Sequence, residues 1–251
     1  MKEFLEFTEH LAIKSGDLIR TYFRTDYSVE QKSDDSPVTI ADKKAEELIR
    51  EMIMKAYPQH GIIGEEFDDH NPEAEYKWIL DPIDGTRSFV CGVPIFGTLI
   101  ALLHCGEPIV GTIYQPITRE LIIGTSDETR FNGEIVKVRP CLKLTDAHMM
   151  ATDPLALHNY KNIDAFIDLR NQVKVFRGFG DCYGYLMLAI GVVDIMIDAI
   201  MNPWDIAALI PVIRGAGGTI TDYQGNDPVN GSSAVATGGA IHDQVISILN
   251  P

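Results

Sequence analysis

Apolar residues in the first part of the chain recur at the spacing of amphipathic helices. Two such sets are present: Phe4, Phe7, Leu11, Leu18 and Tyr22, followed by Ala41, Ala45, Leu48, Ile49, Met52, Ile53 and Ala56. Residues three and four apart share one side of a helix, so each set predicts a helix with one apolar face. The polar segment 30–37 predicts a loop or short strand, and composition makes 26–37 a candidate lid.

Beyond Pro58 the pattern changes to short apolar runs bounded by turn residues, which predict strands. These strands are 61–64, 78–80, 98–103, 108–114 and 120–124, and the third lies within the longest apolar run, 95–104.

In the second half, short apolar runs typical of strands alternate with segments that have the apolar spacing of helices. It predicts strands at 149–152, 173–176, 194–198, 219–222 and 234–237, and helices at 162–171, 181–190, 203–214 and 241–249. Such alternation predicts an α/β fold with a largely parallel or mixed sheet. A boundary near 140–146 divides the chain into an α+β domain, 1–143, that carries a metal site, and an α/β domain, 144–251, that completes the active site.

Composition and charge exclude several classes of function. The chain has 251 residues and a formal net charge of −15, which disfavours binding to nucleic acid or to an anionic membrane surface. No apolar run approaches the roughly 18–20 residues of a membrane span, and Glu3, Glu6 and Glu9 are incompatible with a secretory signal. The four cysteines form no C-x-x-C pair, so we expect free thiols in a reducing cytoplasm rather than disulfides or zinc ligands.

Carboxylates follow the predicted strands and open one predicted helix. Glu65 and Glu66 come after strand 61–64, Asp81 and Asp84 come after strand 78–80, and Asp205 begins helix 203–214. Clustered carboxylates need a counter-charge, and oxygen ligands without His or Cys favour Mg²⁺ or Mn²⁺. We expect Asp81 and Asp84 to lie one turn apart, so that both face one pair of ions.

The glycine that follows Asp84 allows a sharp turn. The amides of Gly85 and Thr86 are then expected to open a helix through Arg87, Ser88 and Phe89, and free N–H groups at such a helix start bind phosphate. The segment 81–86 therefore predicts metal ligands and a phosphate site together.

Each acid also has a purely structural interpretation. Asp84 is compatible with an Asx turn before Gly85, and Asp205 with capping a helix whose N-cap is Asn202. Glu65 and Glu66 are compatible with a solvated loop. The joint occurrence of all three segments favours the metal site.

Four motifs carry a resemblance to a known family. They are the acid-Pro-Ile-Asp-Gly-Thr run at 81–86, Trp-Asp at 204–205 followed by small residues, Gly-Glu-Glu at 64–66, and Pro-Val-Thr-x-Ala-Asp at 37–42. With these motifs the chain resembles the inositol monophosphatase family over nearly its whole length. The resemblance implies a layered αβαβα sandwich, a homodimer, a small phosphate-ester substrate and catalysis with two or three Mg²⁺ ions per active site.

The resemblance also implies roles for individual residues. It assigns Glu65, Asp81 and the Ile83 carbonyl to one metal ion, Asp81, Asp84 and Asp205 to a second, and Glu65 to a more weakly held third. It assigns Thr86 and Asp42 to a pair that orients the attacking water. Asp42 is also expected to cap its own helix together with Thr39, and the two roles are compatible.

The second half carries a hint about the substrate. Gly180-Asp181-Cys182-Tyr183 resembles the histidinol-phosphatase branch of the family, and Asp198 falls where the family has an acidic substrate contact. Two acids suit the ammonium and imidazole groups of L-histidinol phosphate. The resemblance to the histidinol-phosphatase branch implies a place in histidine biosynthesis. The alternatives are inositol 1-phosphate or a sugar phosphate, with Asp181 as a helix-start acid and Asp198 as a solvated one. Arg177 is expected to pair with either acid or to support the dimer interface.

A different class of function has little support in the sequence. Gly178-x-Gly180-x-x-x-Gly184 resembles a dinucleotide fingerprint, but the spacing is one residue too long and Asp181 would repel a pyrophosphate. A metal-binding relative without hydrolase activity is the other alternative, although no expected catalytic position is missing.

Overall fold

Helices and sheets stack in five layers in the order α-β-α-β-α, which confirms the predicted fold class. The computed structural model describes residues 1–26, 29–31 and 37–251. Much of the predicted lid therefore lies outside the described residues. Among the described helices, none is both long and apolar enough to cross a membrane.

The helices are short apart from the first two. They are α1 Lys2–Arg20, α2 Ile40–Ala56, α3 Thr86–Val90, α4 Pro154–Tyr160, α5 Ile163–Gln172, α6 Asp181–Ala189, α7 Pro203–Ile206, α8 Leu209–Gly215 and α9 His242–Leu249. Two 3-10 turns occupy Leu144–Asp146 and Pro228–Asn230.

The first half contributes a hairpin and a large sheet. The hairpin pairs β1 Val29–Gln31 with β2 Pro37–Thr39. The sheet contains β3 Gly61–Gly64, β4 Tyr76–Asp84, β5 Gly97–His104, β6 Glu107–Gln115, β7 Glu120–Gly124, β8 Thr129–Phe131 and β9 Glu134–Ile135, in that order. In this sheet β3 and β4 are parallel, and the other neighbouring strands are antiparallel.

Strand β4 is buried on both faces because helices cover this sheet from both sides. Trp78 and Leu80 pack against α1 and α2, whereas Ile79 packs against α6 and α8 on the opposite face. Successive side chains of a strand point to opposite faces, so a doubly covered strand is continuously apolar.

The second half contributes a smaller mixed sheet. It contains β10 His148–Ala151, β11 Val175–Arg177, β12 Ile195–Asp198, β13 Thr219–Thr221 and β14 Ala234–Thr237, in the order β11-β10-β12-β14-β13. Strand β10 is parallel to both of its neighbours, while β14 is antiparallel to β12 and β13. Helices α6 and α8 lie between the two sheets, and α4, α5 and α9 pack on the outer face.

The structure differs from the sequence predictions at several elements, and α4 was not predicted. The predicted helix 203–214 is divided into α7 and α8, because Pro211 lacks the N–H that would donate to the carbonyl four residues earlier. The β8–β9 hairpin was not predicted, although Asn132-Gly133 is a strong turn signal. Both residues have a positive φ, 46° and 88°, as a type I′ turn requires.

An ion pair between half-exposed Arg139 and buried Asp194 joins the segment after the first sheet to the second sheet. The Arg139 guanidinium donates to the fully buried Asp194 carboxylate, and the His148 amide donates to the same group at 2.7 Å. Asp194 immediately precedes β12, and His148 begins β10. The pair therefore fixes the two central strands relative to the connecting segment.

His242 provides a test of the outer layer. Its buried ring contacts Thr237 Oγ1 at 3.1 Å and Thr221 Oγ1 at 3.0 Å, and burial lowers its pKa from the usual 6.5. The unfolded chain therefore binds the proton more tightly, and stability is lost as the pH falls below about 6.5. We expect His242→Gln to flatten this loss in denaturant titrations at pH 7 and pH 5.

The control is His10→Gln, because His10 is an exposed residue of α1. Equal pH slopes for the wild type and His242→Gln would contradict the assignment.

Candidate active site

Asp81 and Asp84 lie at the end of strand β4, where its pairing with β5 is irregular. Asp81 pairs with Leu99 and Asp84 pairs with Gly97, so the register shifts between them. The Ile83 amide donates to Asp81 Oδ1 at 3.0 Å. The prediction that Asp81 and Asp84 lie one turn apart is therefore wrong. Both lie in strand β4, and a β-bulge between them brings their side chains to the same side of the strand.

Asp205 reaches the same place from the other half of the chain. It is the third residue of α7, after the N-cap Asn202 and Pro203, and it accepts a hydrogen bond from the Asn202 amide at 2.6 Å. Ligand oxygens of Asp81, Asp84 and Asp205 all lie within 4.8 Å of one another. The capping interpretation is therefore compatible with a metal site, since one carboxylate oxygen caps while the group faces the other acids.

The electrostatics of this cluster call for a cation. Burial, followed by the charges of Glu65, Asp84 and Asp205, raises the pKa of Asp81 well above its usual range. Burial raises the pKa of Asp205 to about 7. Within the described part of the chain, no Lys or Arg forms an ion pair with Asp81, Asp84 or Asp205. Three carboxylates that have no ion-pairing Lys or Arg among the described residues fit a hard divalent ion with oxygen ligands.

Glu65 borders this cluster without belonging to it. It follows β3, and its amide donates to the Leu80 carbonyl at 3.2 Å. Its charge contributes to the raised pKa values of Asp42, Asp81 and Asp205. Glu65 is thus an electrostatic neighbour of the three acids, as a ligand on the border of the same site would be.

A buried ion pair on α2 holds the loop that carries Glu65. Glu46 is fully buried; its Oε1 accepts from Arg50 Nε at 2.7 Å, and its Oε2 accepts from the Glu66 amide at 2.9 Å. Arg50 also donates to the carbonyls of Phe67 and Asp68. This pair was not among the predicted site residues, although a Glu and an Arg four residues apart on a predicted helix are a recognisable signal.

Gly64 allows the loop to approach Glu46. A Cβ atom at position 64 would lie 2.0 Å from Glu46 Oε1. The glycine of the Gly-Glu-Glu motif is thus required by packing.

Asp42 combines the two roles expected for it. Its Oδ2 accepts from the Thr39 amide at 2.8 Å and from the Thr39 hydroxyl, which forms a capping box at the start of α2. Its Oδ1 lies 3.3 Å from the Thr86 hydroxyl, which is also 3.0 Å from the Ile83 carbonyl. Burial raises the pKa of Asp42 to about 6, so the carboxylate is mostly ionised at neutral pH.

Gly85 turns the chain from β4 into α3. It is the N-cap of α3 and has φ +82°, a conformation that favours glycine. A Cβ atom there would also lie 2.9 Å from Asp181 Cγ. The turn therefore requires glycine twice, once for its backbone and once for its contact with Asp181.

The two predicted substrate acids lie beside the same cluster. Asp181 and Asp198 line a cavity of about 80 Å³ together with Asp84 and Asp205. The Cys182 amide, at the start of α6, donates to Asp84 Oδ2. The structure thus brings Asp181 and Asp198 to the metal-ligand candidates, which sequence separation alone does not require.

Side chains missed in the sequence analysis orient these two acids. Ser88 Oγ donates to Asp181 Oδ2 at 2.7 Å, and Tyr185 Oη donates to Asp198 Oδ2 at 2.9 Å. Thr152 contacts both acids: its hydroxyl accepts from the Asp181 amide at 2.9 Å, and its amide donates to Asp198 Oδ1 at 3.3 Å. Thr152 directly follows β10. Its position at the end of a strand is the feature from which a role in the site could have been predicted.

Asp181 has a strained backbone, with φ +42°, and Phe179 has φ +60°. Such conformations cost roughly 1–2 kcal/mol for residues other than glycine and persist where surrounding contacts enforce them. Burial raises the pKa of Asp181, while the Ser88 hydrogen bond and the charge of Arg87 lower it. Burial raises the pKa of Asp198 to about 6.

Arg177 does not pair with either acid. Its Nη1 donates to the Phe176 carbonyl at 2.7 Å, and the side chain is exposed. The expected ion pair with Asp181 or Asp198 is therefore wrong. The nearby cation that acts on Asp181 is Arg87, on α3.

The glycines that resemble a dinucleotide fingerprint are explained by packing. A Cβ atom at Gly180 would lie 2.1 Å from Met196 Cε, and one at Gly184 would lie 2.5 Å from Met196 Sδ. Both glycines thus allow α6 to approach β12.

The layered fold and a carboxylate cluster that can hold a metal ion are compatible with a metal-dependent hydrolase. It belongs to the inositol monophosphatase family, whose sequence profile matches residues 1–250. The resemblance seen in the motifs is thereby confirmed.

Relatives and solved structures agree with this assignment. The chain is 47% identical to the "bifunctional phosphatase IMPL2, chloroplastic" of Arabidopsis thaliana, over 90% of this chain and 67% of that protein. It is 38% identical to the histidinol-phosphatase of Chlorobaculum parvum, over 98% of this chain and 96% of that protein. A solved inositol monophosphatase from Zymomonas mobilis superposes with a TM-score of 0.89 at 34% identity. The superposition covers 100% of this chain and 98% of that chain.

The Glu46–Arg50 pair leads to a prediction. We expect Glu46→Gln to weaken Mg²⁺ binding about 10- to 100-fold in calorimetry, because loss of a group that orients a ligand typically has an effect of this size. The matched control is Glu47→Gln, the exposed neighbour on α2. If the melting temperature fell while Mg²⁺ affinity stayed the same, Glu46 would be a structural residue only.

Proposed function

We propose that this protein is a Mg²⁺-dependent phosphatase that hydrolyses L-histidinol phosphate to L-histidinol and phosphate. The observation that carries the proposal is that Asp181 and Asp198 share one cavity with Asp84 and Asp205. A phosphate ester held beside the carboxylate cluster would direct its other groups toward these two additional acids. Carboxylates recognise an ammonium or imidazolium group through charge-assisted hydrogen bonds, which are about twice as strong as neutral ones.

The metal ligands in this proposal are Asp81, Asp84, Asp205, Glu65 and the Ile83 carbonyl. Bound Mg²⁺, with Mn²⁺ as a substitute, would neutralise the phosphate and make a bound water more acidic. Two or three ions per site follow from the family resemblance. The amides of Gly85 and Thr86 at the start of α3 are proposed to hold a phosphate oxygen.

Asp42 and Thr86 are proposed to orient the attacking water. The Thr86 hydroxyl has one hydrogen and two acceptors within reach, Asp42 Oδ1 at 3.3 Å and the Ile83 carbonyl at 3.0 Å. In this proposal it donates its hydrogen bond to ionised Asp42, which leaves the hydroxyl oxygen as an acceptor for water. Because the same hydroxyl contacts the Ile83 carbonyl, a water held there would lie next to a proposed metal ligand. Positioning of this kind supplies much of the rate in phosphoryl transfer.

The proposal also covers the oligomeric state, the pathway and the cellular compartment of the enzyme. A homodimer and a step in histidine biosynthesis follow from the family resemblance. A reducing compartment such as the cytoplasm is supported by four cysteines without a disulfide.

Inositol 1-phosphate is the second candidate substrate. It is favoured by the likeness to the Zymomonas mobilis inositol monophosphatase, at 34% identity over the full chain. The deciding experiment measures phosphate release with Mg²⁺ from L-histidinol phosphate, inositol 1-phosphate and fructose 1,6-bisphosphate. We expect kcat/KM to be highest for L-histidinol phosphate, and equal values for the three esters would refute recognition of a cation.

Asp181→Asn tests the role of the second acid. Asparagine tolerates the positive φ and still accepts from Ser88, so only the charge is lost. We expect kcat/KM for L-histidinol phosphate to fall about 10- to 100-fold, since a hydrogen bond to a charged group contributes about 1.5–3 kcal/mol. The value for inositol 1-phosphate should change little. Similar losses for both esters would leave Asp181 with a structural role alone.

Asp205→Asn tests the metal cluster. Without metal the variant should melt at the same temperature as the wild type or higher, because one of three mutually repelling carboxylates becomes neutral. Millimolar Mg²⁺ should raise the melting temperature of the wild type but hardly that of the variant, since only ions bound to the native state stabilise it. Turnover should fall roughly 100-fold or more. An equal Mg²⁺-induced shift in both proteins would contradict the ligand assignment.

A further inference from the structure

A second group of metal-ligating side chains lies at the opposite end of strand β4. Glu75 precedes β4, His104 ends β5, and Cys105 begins the turn between β5 and β6. A carboxylate oxygen, a ring nitrogen and the Cys105 Sγ all lie within 4.8 Å of one another. Glu75 Oε1 is 2.8 Å from His104 Nε2. Glu75 and His104 are 29 residues apart, so no local motif reveals the group.

The backbone holds Cys105 beside Glu75. The Cys105 amide donates to the Glu75 carbonyl at 2.8 Å. Cys105 and Gly106 have φ values of +52° and +90° between the paired residues His104 and Glu107, which describes a two-residue hairpin turn. Asn, Asp or Gly is usual at the first of these positions, so the turn itself does not favour a cysteine.

Ring stacking fixes the orientation of His104. Its ring stacks on Tyr76 with centroids 4.5 Å apart, and Tyr76 stacks on His60 at 5.0 Å. His60 stacks in turn on Tyr57 at 4.7 Å. An imidazole held in this way loses little rotational freedom on binding a ligand, as a preorganised metal site requires.

The three donors together select a particular kind of cation. A thiolate, an imidazole and a carboxylate are ligands of Zn²⁺, whereas Mg²⁺ prefers oxygen alone. We propose that Glu75, His104 and Cys105 form an exposed binding site for Zn²⁺ or a similar transition-metal ion, with water completing a tetrahedron. The group contains one cysteine and no C-x-x-C pair. The spacing of the cysteines in the sequence therefore gave no indication of a zinc ligand.

The proposed site is separate from the catalytic cluster. Asp81 lies five residue steps along β4 from Tyr76, and at about 3.3 Å per step this amounts to roughly 17 Å. An ion bound by Glu75, His104 and Cys105 therefore cannot contact the substrate. It would join the start of β4 to the β5–β6 turn and stabilise the sheet at this end of the two strands.

The first test is titration with Co²⁺ and Zn²⁺ in saturating Mg²⁺, which is added to compete for the carboxylate cluster. Wild-type protein should bind one Co²⁺ with a thiolate-to-cobalt charge-transfer band, and Zn²⁺ should displace it. Cys105→Ser should abolish the band and weaken Zn²⁺ binding at least about 10-fold. His104→Gln should weaken Zn²⁺ binding to a similar degree, while circular dichroism stays unchanged.

The matched control is Cys91→Ser, because Cys91 is also an exposed free cysteine but lies outside the group. It should retain the band and the affinity. A second readout is the rate at which a disulfide reagent labels Cys105, which Zn²⁺ should slow in the wild type and not in His104→Gln. No charge-transfer band, or equal Zn²⁺ affinity in Cys105→Ser and wild type, would overturn the proposal.

Discussion

The mutual repulsion of buried carboxylates is the constraint on which the rest of this structure depends. Asp81, Asp84 and Asp205 bring their oxygens within 4.8 Å of one another, with Glu65 and Asp42 as acidic neighbours. In a chain with a net charge of −15, such a cluster is unfavourable until a cation or protons neutralise it. The fold must therefore hold these groups together despite their mutual repulsion. Burial, together with the charges of neighbouring acids, raises the pKa values of Asp81, Asp84 and Asp205.

Rigid elements from both halves of the chain resist this repulsion. Asp81 and Asp84 are fixed by a strand that is covered on both faces, and Asp205 is fixed by a cap of its own helix. The Cys182 amide at the start of α6 donates to Asp84, so a helix from the second half contributes partial positive charge to an acid of the first half. The site thus exists only where the two sheets and the layer between them are assembled.

A supporting set of residues makes the geometry specific. Glu46 and Arg50 hold the loop of Glu65, and Thr152, Ser88 and Tyr185 hold the two additional acids. Such contacts decide orientation, and orientation decides whether carboxylates recognise a metal, a substrate cation or only one another. Asp181 keeps a positive φ in this setting, which shows that the surrounding contacts outweigh the local preference of the backbone.

The sequence by itself determined most of the element types, the α/β class and the identities of the acids at the ends of those elements, whereas the layered αβαβα arrangement was implied by the family resemblance. These follow from local periodicity and from motifs with fixed spacing, such as Asp81 to Thr86. Only the tertiary structure decided that a bulge brings Asp81 and Asp84 together, that Arg87 rather than Arg177 acts on Asp181, and that Thr152 contacts both additional acids. Contacts between residues far apart in sequence depend on how strands pair and helices pack, and local patterns do not encode those distances.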